Sequence, residues 1–205
     1  MIKSKFIIYI ILSLFLSCRT DPNEQIDEGK IENEVYHSPE IGWTMKIPKG
    51  WNVTHRNVLD KRNKIGLDAI NESVDADYDI NGLKQLLNLQ KDQFNGFQSS
   101  SEPFELEYEG EWEENNAALK ELVYGTYLHK GIKTDSTETK IVEIDELKFH
   151  KYQFTIYDPK GNVILNQLMY SRLINGLDFG ININYNNESD KNELLKAWKN
   201  SKFKK

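Results

Sequence analysis

Four histidines, His37, His55, His129 and His150, and a single cysteine, Cys18, carry the most versatile chemistry in this 205-residue chain. Nucleophilic catalysis needs Ser, Thr or Cys beside a base, and no Gly-x-Ser-x-Gly elbow is present to present a serine. The histidines stand far apart, without the His-x-x-x-His or His-Glu-x-x-His spacing that puts two imidazoles on one helix face. His150 shares its phase with Tyr152, Phe154 and Ile156, the pattern of a hydrogen-bonded histidine in or near the core. Phosphate-cradling loops of the Gly-x-x-x-x-Gly-Lys and Gly-x-Gly-x-x-Gly types are also missing. The sequence therefore assigns no catalytic residue, no metal ligand and no cofactor.

Seven carboxylates lie between Glu102 and Glu114, and clustered oxygens are what a hard cation such as calcium takes. No Asp-x-Asp-x-Asp-Gly loop accompanies them, however. Phe104, Leu106 and Tyr108 alternate with Glu105, Glu107 and Glu109, so the segment reads as a short strand or an extended loop with its glutamates in solvent. Trp112 follows them without an apolar neighbour to explain it. Were it exposed, Glu105, Glu107, Glu109 and Trp112 would form an interaction surface, because aromatic residues anchor interfaces. Asn52, Asn71 and Asn187 open glycosylation sequons that read as chance matches.

The cysteine belongs to a different chemistry. Lys3 and Lys5 precede an apolar run from Phe6 to Leu16, the layout of a secretory leader. That run is shorter than the roughly 20 residues a membrane-spanning helix needs. Phe15-Leu16-Ser17-Cys18 then resembles a bacterial lipobox, with Phe15 where leucine is usual, in which the cysteine is acylated and becomes the mature N-terminus. Acylation also explains an unpaired thiol in an exported chain. Each buried methylene of the lipid contributes about 0.8 kcal/mol, so two or three acyl chains anchor firmly. The expected organisation is a signal peptide over 1–17, an acylated Cys18 with an acidic tether over 18–34, and one domain over 35–205. As a coil, the tether residues 19–34 would span roughly 20 to 24 Å. The expected location is the cell envelope, lipid-anchored to the outer membrane on its periplasmic side or at the cell surface.

Composition agrees with a single globular body: 39% of residues are hydrophobic, 11% aromatic and 28% charged, which excludes wholesale disorder. Lys and Arg number 26 against 32 Asp and Glu, a net charge of −6 that opposes nucleic-acid binding. Trp43 to Ile47 alternates as a half-buried strand, Pro48-Lys49-Gly50 turns, and Trp51 and Val53 resume, which predicts a hairpin. Ile65 to Asn71 reads as a third strand, and Leu83, Leu86, Leu87 and Phe94 predict a helix over 81–94. Ala118, Leu119, Leu122 and Val123 predict a second helix near Glu114 to His129, stopped at Gly131.

Four apolar runs then follow, at Thr139 to Ile144, Lys148 to Tyr157, Val163 to Ile174 and Leu177 to Tyr185. Asp158-Pro159-Lys160-Gly161 and Asn175-Gly176 are turn signals, so these runs predict an antiparallel meander. In the last run Asp178, Gly180, Asn182 and Asn184 fall on one face, expected to be wet. A final helix is predicted from Asp190, with Glu193 completing a capping box and Leu194, Leu195 and Trp198 on one stripe.

Gly42-Trp43-Thr44-Met45-Lys46-Ile47-Pro48-Lys49-Gly50-Trp51 resembles the opening hairpin of the PsbP-like family, which ends in Pro-x-Gly-Trp. Ile144-Asp145 before a long meander, and a terminal helix running into Ser201-Lys202-Phe203, are similar to the family's close, with Glu146 where glycine is usual. The resemblance covers about residues 36 to 203. It implies an α+β fold in which an antiparallel sheet carries helices on both faces, an α/β/α sandwich. For function it offers analogy only.

Three functions remain open on these residues. The leading one is a non-catalytic, membrane-anchored module that contacts membrane lipid through acylated Cys18 and binds an envelope protein partner or a small ligand. An envelope enzyme would instead require polar side chains, with His129 or His150 among the candidates, to converge in a pocket with carboxylates. A carrier of an apolar molecule would require an internal cavity.

Overall fold

The computed structural model describes residues 21–204, so the leader and the Cys18 lipidation site lie outside the described residues. A 3-10 turn at Pro22–Gln25 leads into β1 (Lys30–Glu32), β2 (Val35–Ser38) and β3 (Trp43–Lys46). After β4 (Asn52–Val53) come helix α1 (Arg56–Val74), β5 (Lys84–Gln85), β6 (Leu89–Gln90) and β7 (Gly96–Pro103). Helix α2 (Glu111–His129) precedes β8 (Thr134–Ser136), β9 (Lys140–Ile144), β10 (Leu147–Tyr157), β11 (Val163–Ile174) and β12 (Leu177–Tyr185). Helix α3 (Glu188–Lys199) and β13 (Lys202–Phe203) close the fold.

The strands make a nine-stranded sheet in the order β4-β6-β7-β12-β11-β10-β8, with β5 also on β7 and β9 also on β10, and a four-stranded sheet ordered β1-β2-β3-β13. Every pairing is antiparallel. Tight turns set the central register: Asn175 and Gly176 both take positive φ, +53° and +73°, as the two-residue turn between β11 and β12 requires. Between β10 and β11, the Asp158 carboxylate accepts from the backbone N–H groups of Lys160 and Asn162, both at 2.8 Å.

One face of the large sheet carries α3 and the small sheet. Phe97, Phe149, Phe179, Trp43, Trp198 and Phe203 interlock there, with Trp198 edge-on to Phe149 at 5.2 Å between ring centroids. Trp43 and Trp198 are wholly buried. On the opposite face lie α1 and α2, joined where the Ser73 and Thr126 hydroxyls meet at 2.9 Å. Helix α2 seats Tyr124 and Tyr127 on Phe154 of β10. The sheet thus bears helices on both faces.

Several local expectations are corrected. The hairpin at Trp43 does not form, because the Pro48-Lys49-Gly50 turn carries the chain from β3 in the small sheet to β4 in the large one. The strand expected at 65–71 is part of α1, whose weak apolar stripe buries only Leu59 and which carries an i,i+4 pair, Lys64 to Asp68 at 3.0 Å. The helix expected over 81–94 is two short strands: Leu86, Leu87 and Leu89 are all buried, and the Leu86 N–H bonds to Ser99 at 3.0 Å instead of to its own preceding turn. A continuously buried run satisfies helical spacing without being helical. Residues 104–109 form no strand. Helix α3 begins earlier than Asp190, with Asn187 as its cap: the Asn187 Oδ1 accepts from the Asp190 N–H at 2.9 Å. Glu193 serves another purpose, accepting from the Trp51 indole at 2.9 Å.

The stretch expected to be a free tether up to Glu34 is folded from Asp21 onward. Ile26 and Ile31 pack on the core, and Asn23 ties the turn to β1 by accepting from the Ile31 N–H at 2.7 Å. His55 offers α1 no side-chain cap, so Gln25 supplies one, its Oε1 accepting from the Arg56 N–H at 2.7 Å. Asp27 accepts from the Arg56 guanidinium and the Gln85 N–H. Burial of Asp27 is outweighed by these partners, which hold its carboxyl below the usual carboxylate range.

Candidate functional site

Between the large sheet and the two helices on its polar face is a cleft of about 240 Å³. Its floor comes from β7, β12, β11 and β10, because alternation sends every second side chain of each strand this way. The strand register aligns them in rows: Glu102 opposite Asp178, Ser100 opposite Gly180 and then Ser171, Gln98 opposite Asn182 and then Met169 and Tyr152. Gly180 projects no side chain, which leaves the centre of the floor open. Asn63 of α1, Leu83, and Asn116 and Leu119 of α2 form the walls. Asn116 is buried and donates to the Ser171 Oγ at 2.8 Å, which fixes the helix wall to the floor.

Electrostatics at one end of the cleft are unusual. Desolvation raises the pKa of Asp178, and the nearby Trp112 indole N–H offsets part of that rise without reaching normal hydrogen-bond geometry. Burial, and then the Asp178 charge directly across the strand pair, raise Glu102 as well. Tyr152 is pushed above the ordinary phenol range by burial and by Asp178. Four residues further along β12, Asn182 donates to Gln98 Oε1 at 3.3 Å, and its own Oδ1 is buried without a partner.

The predicted surface residues divide. Glu105, Glu107 and Glu109 are exposed on the loop before α2, where the Glu107 N–H donates to the Glu111 carboxylate at 2.6 Å. Trp112 does not join them: it is 4% exposed, packs on the His150 ring at 5.0 Å, and lies beside Asp178. Glu111, Glu113 and Glu114 occupy the first turn of α2, where carboxylates offset the helix dipole. Only Glu102 of the acidic stretch reaches the cleft. Sequence reasoning missed it because β7, read across Gln98-Ser99-Ser100-Ser101, has no apolar alternation strong enough to announce a strand. The signal that was present is the polar phase of β12, Asp178, Gly180 and Asn182.

The histidines sit on separate elements: His37 on β2, bonded to the Thr44 hydroxyl at 3.0 Å, His55 before α1, His129 ending α2, and His150 on β10. Among the described residues, no group of three or more His, Cys, Asp or Glu side chains is placed to hold a metal ion. No helix among them is long and apolar enough to cross a membrane.

No family model matches the chain, and neither does any curated protein. Among solved structures it is similar to the solution structure of cyanobacterial PsbP (CyanoP) from Synechocystis sp. PCC 6803, at a TM-score of 0.55 and 8% identity, over 87% of this chain and 98% of that one. The chain has a PsbP-like fold.

Proposed function

We propose that this chain is a membrane-anchored lipoprotein whose PsbP-like module is a non-catalytic binder, with the cleft beneath α1 and α2 as its small-ligand site. The observation that carries the binding reading is the cleft itself: polar side chains from four strands and two helices converge on a space that they leave unfilled. The lipobox-like Phe15-Leu16-Ser17-Cys18 supports the anchor, holding the module to membrane lipid at the outer membrane. Only Arg19 and Thr20 separate Cys18 from the first described residue, so the module would ride close to the leaflet, within reach of an envelope protein. The exposed Glu105, Glu107 and Glu109 offer that protein an acidic contact.

Intact mass and membrane fractionation beside a Cys18→Ala variant test the anchor. A mature species beginning at acylated Cys18, in the membrane fraction and released by the substitution, is the expected result; a soluble, unacylated species overturns it. Cross-linking in the membrane identifies any protein partner.

One observation favours an envelope enzyme as a second reading: Glu102 and Asp178 face each other with raised pKa values, the environment that general acid–base pairs exploit. No nucleophile with an oriented base accompanies them among the cleft residues.

A further inference from the structure

We propose that helix α1 is a hinged wall of the cleft, held shut at its N-terminal end by residues 21–28, which act as a latch. This rests on the binding reading above and says how that site is opened and closed. Three features support it.

The first is how little of its own holds α1 in place. Its Asn63 lines the cleft, yet Leu59 is its only fully buried residue. Its cap residue His55 makes no side-chain hydrogen bond, its first turn has no acidic residue and its last no basic one, so neither end of the helix dipole is offset from within. Gly66 stands in mid-helix where an added Cβ would meet nothing within 4 Å. Packing does not require that glycine, and it weakens the helix. Helix α3, with Leu194 and Trp198 wholly buried and Asn187 as its cap, has what α1 lacks.

The second is where α1 is tied. At its start Gln25 accepts from the Arg56 N–H at 2.7 Å, and the Asp27 carboxylate accepts from the Arg56 guanidinium at 3.0 Å. At its far end Ser73 meets Thr126 of α2 at 2.9 Å, and Glu72 pairs with Lys130. One further polar contact lies between them, from Arg62 to Gln90 at 3.0 Å. Releasing the start would leave the helix to pivot on α2.

The third is that the latch is fixed independently of α1. Asp27 and Gln85 bond both ways, the Asp27 N–H to the Gln85 carbonyl at 2.8 Å and the Gln85 N–H to the Asp27 carboxylate at 2.6 Å. The Glu28 carbonyl accepts from the Tyr36 hydroxyl at 2.9 Å, its carboxylate accepts from the Glu40 N–H at 3.2 Å, and Ile26 packs on the core. Gln85 also lines the cleft, so the latch grips the edge of the same space that α1 closes. A firmly seated latch on a weakly held helix lets that helix open locally, below the free energy of global unfolding.

Native-state hydrogen exchange on the full mature chain, in water and in low urea, tests this without any ligand. We expect amides of residues 60–74 to be protected at least about tenfold less than those of β10 to β12, with little dependence on urea, the mark of local opening. Gln25→Ala removes the cap and should speed exchange in α1 by about fivefold. Gly66→Ala touches neither latch nor cleft and should slow it by about fivefold. Exchange of α1 in step with β10 to β12, with the same urea dependence, makes it part of the global unit and overturns the hinged wall. Local opening that Gln25→Ala and Arg56→Gln both leave unchanged overturns the latch, and α2 opening together with α1 overturns the hinge. Because no ligand is involved, a cleft that binds no small molecule while α1 opens as expected would overturn the binding reading and leave the hinged wall standing.

Discussion

On one side of the nine-stranded sheet β12 presents Phe179, Ile181, Ile183 and Tyr185 to α3 and the small sheet; on the other, the same strand presents Asp178, Gly180, Asn182 and Asn184 to α1 and α2. The first side is filled by aromatic rings that meet edge to face. The second holds a cleft lined by amides, hydroxyls and carboxylates together with Leu83, Leu119 and Met169, and is covered by helices that bury few side chains: Leu59 in α1, and Trp112, Asn116 and Thr126 in α2. Two helices that cover a sheet without filling the space beneath them contribute little hydrophobic stabilisation there. The difference separates a face that holds the molecule together from one whose side chains remain available to something else.

The contrast can be broken most severely on the filled face. Trp198 is wholly buried among Trp43, Phe149, Tyr170 and Phe203. Trp198→Ala leaves a cavity of indole size and should cost about 3–5 kcal/mol, a large fraction of the stability of an ordinary domain. Urea denaturation measures it. A loss below about 1 kcal/mol would mean that this side is not the structural core.

A smaller effect is expected where α3 enters the same layer. Asn187 caps the helix through the Asp190 N–H, and its Nδ2 donates to the Asp190 carboxylate at 2.9 Å, a reciprocal arrangement. Asn187→Ala should cost about 1 kcal/mol, and Asn187→Asp much less, since a carboxylate caps equally well. Comparing the two urea midpoints separates the loss of a cap from the loss of an amide.

The filled face was largely legible in the sequence and the hollow one largely was not, for a physical reason. The meander from Thr139 to Tyr185 declares itself through alternation and through turn residues whose conformations are locally determined, Asn175-Gly176 above all. Helix α1 hides because tertiary contact asks little of it: Ile65 is 59% exposed, so its apolar residues trace no clean stripe. The short strands around Leu86 to Leu89 hide for the opposite reason, since burial on all sides erases periodicity. The cleft depends on register between β7 and β12, which meet only in the fold, so a sequence scan sees Glu102 as one of seven glutamates and not as the partner of Asp178. Trp112 was isolated in the sequence and is buried against His150 and beside Asp178 in space.

The smallest effect has an unusual sign. Asp178→Asn removes one of two facing like charges and a buried carboxylate, so it should stabilise the protein at neutral pH, by about 0.2–1 kcal/mol. The pH dependence follows from the direction of the shifts. Glu102 and Asp178 are raised, so between the ordinary carboxylate range and their own higher values the folded chain binds more protons than the unfolded one, and stability falls as pH rises through that window. On the filled side Asp190 behaves in the opposite way: its burial is outweighed by Asn187 and Lys91, its carboxyl is held low, and its contribution is lost as pH falls through that low value. The advantage of Asp178→Asn over the parent chain should therefore be largest near neutrality and vanish below about pH 4, where carboxylates are protonated in both states. Thermal melts of the two proteins across that range measure it. A substitution that stabilises the fold marks a charge kept for something other than folding; one that destabilises the fold at neutral pH would return Asp178 to the structural side of the comparison.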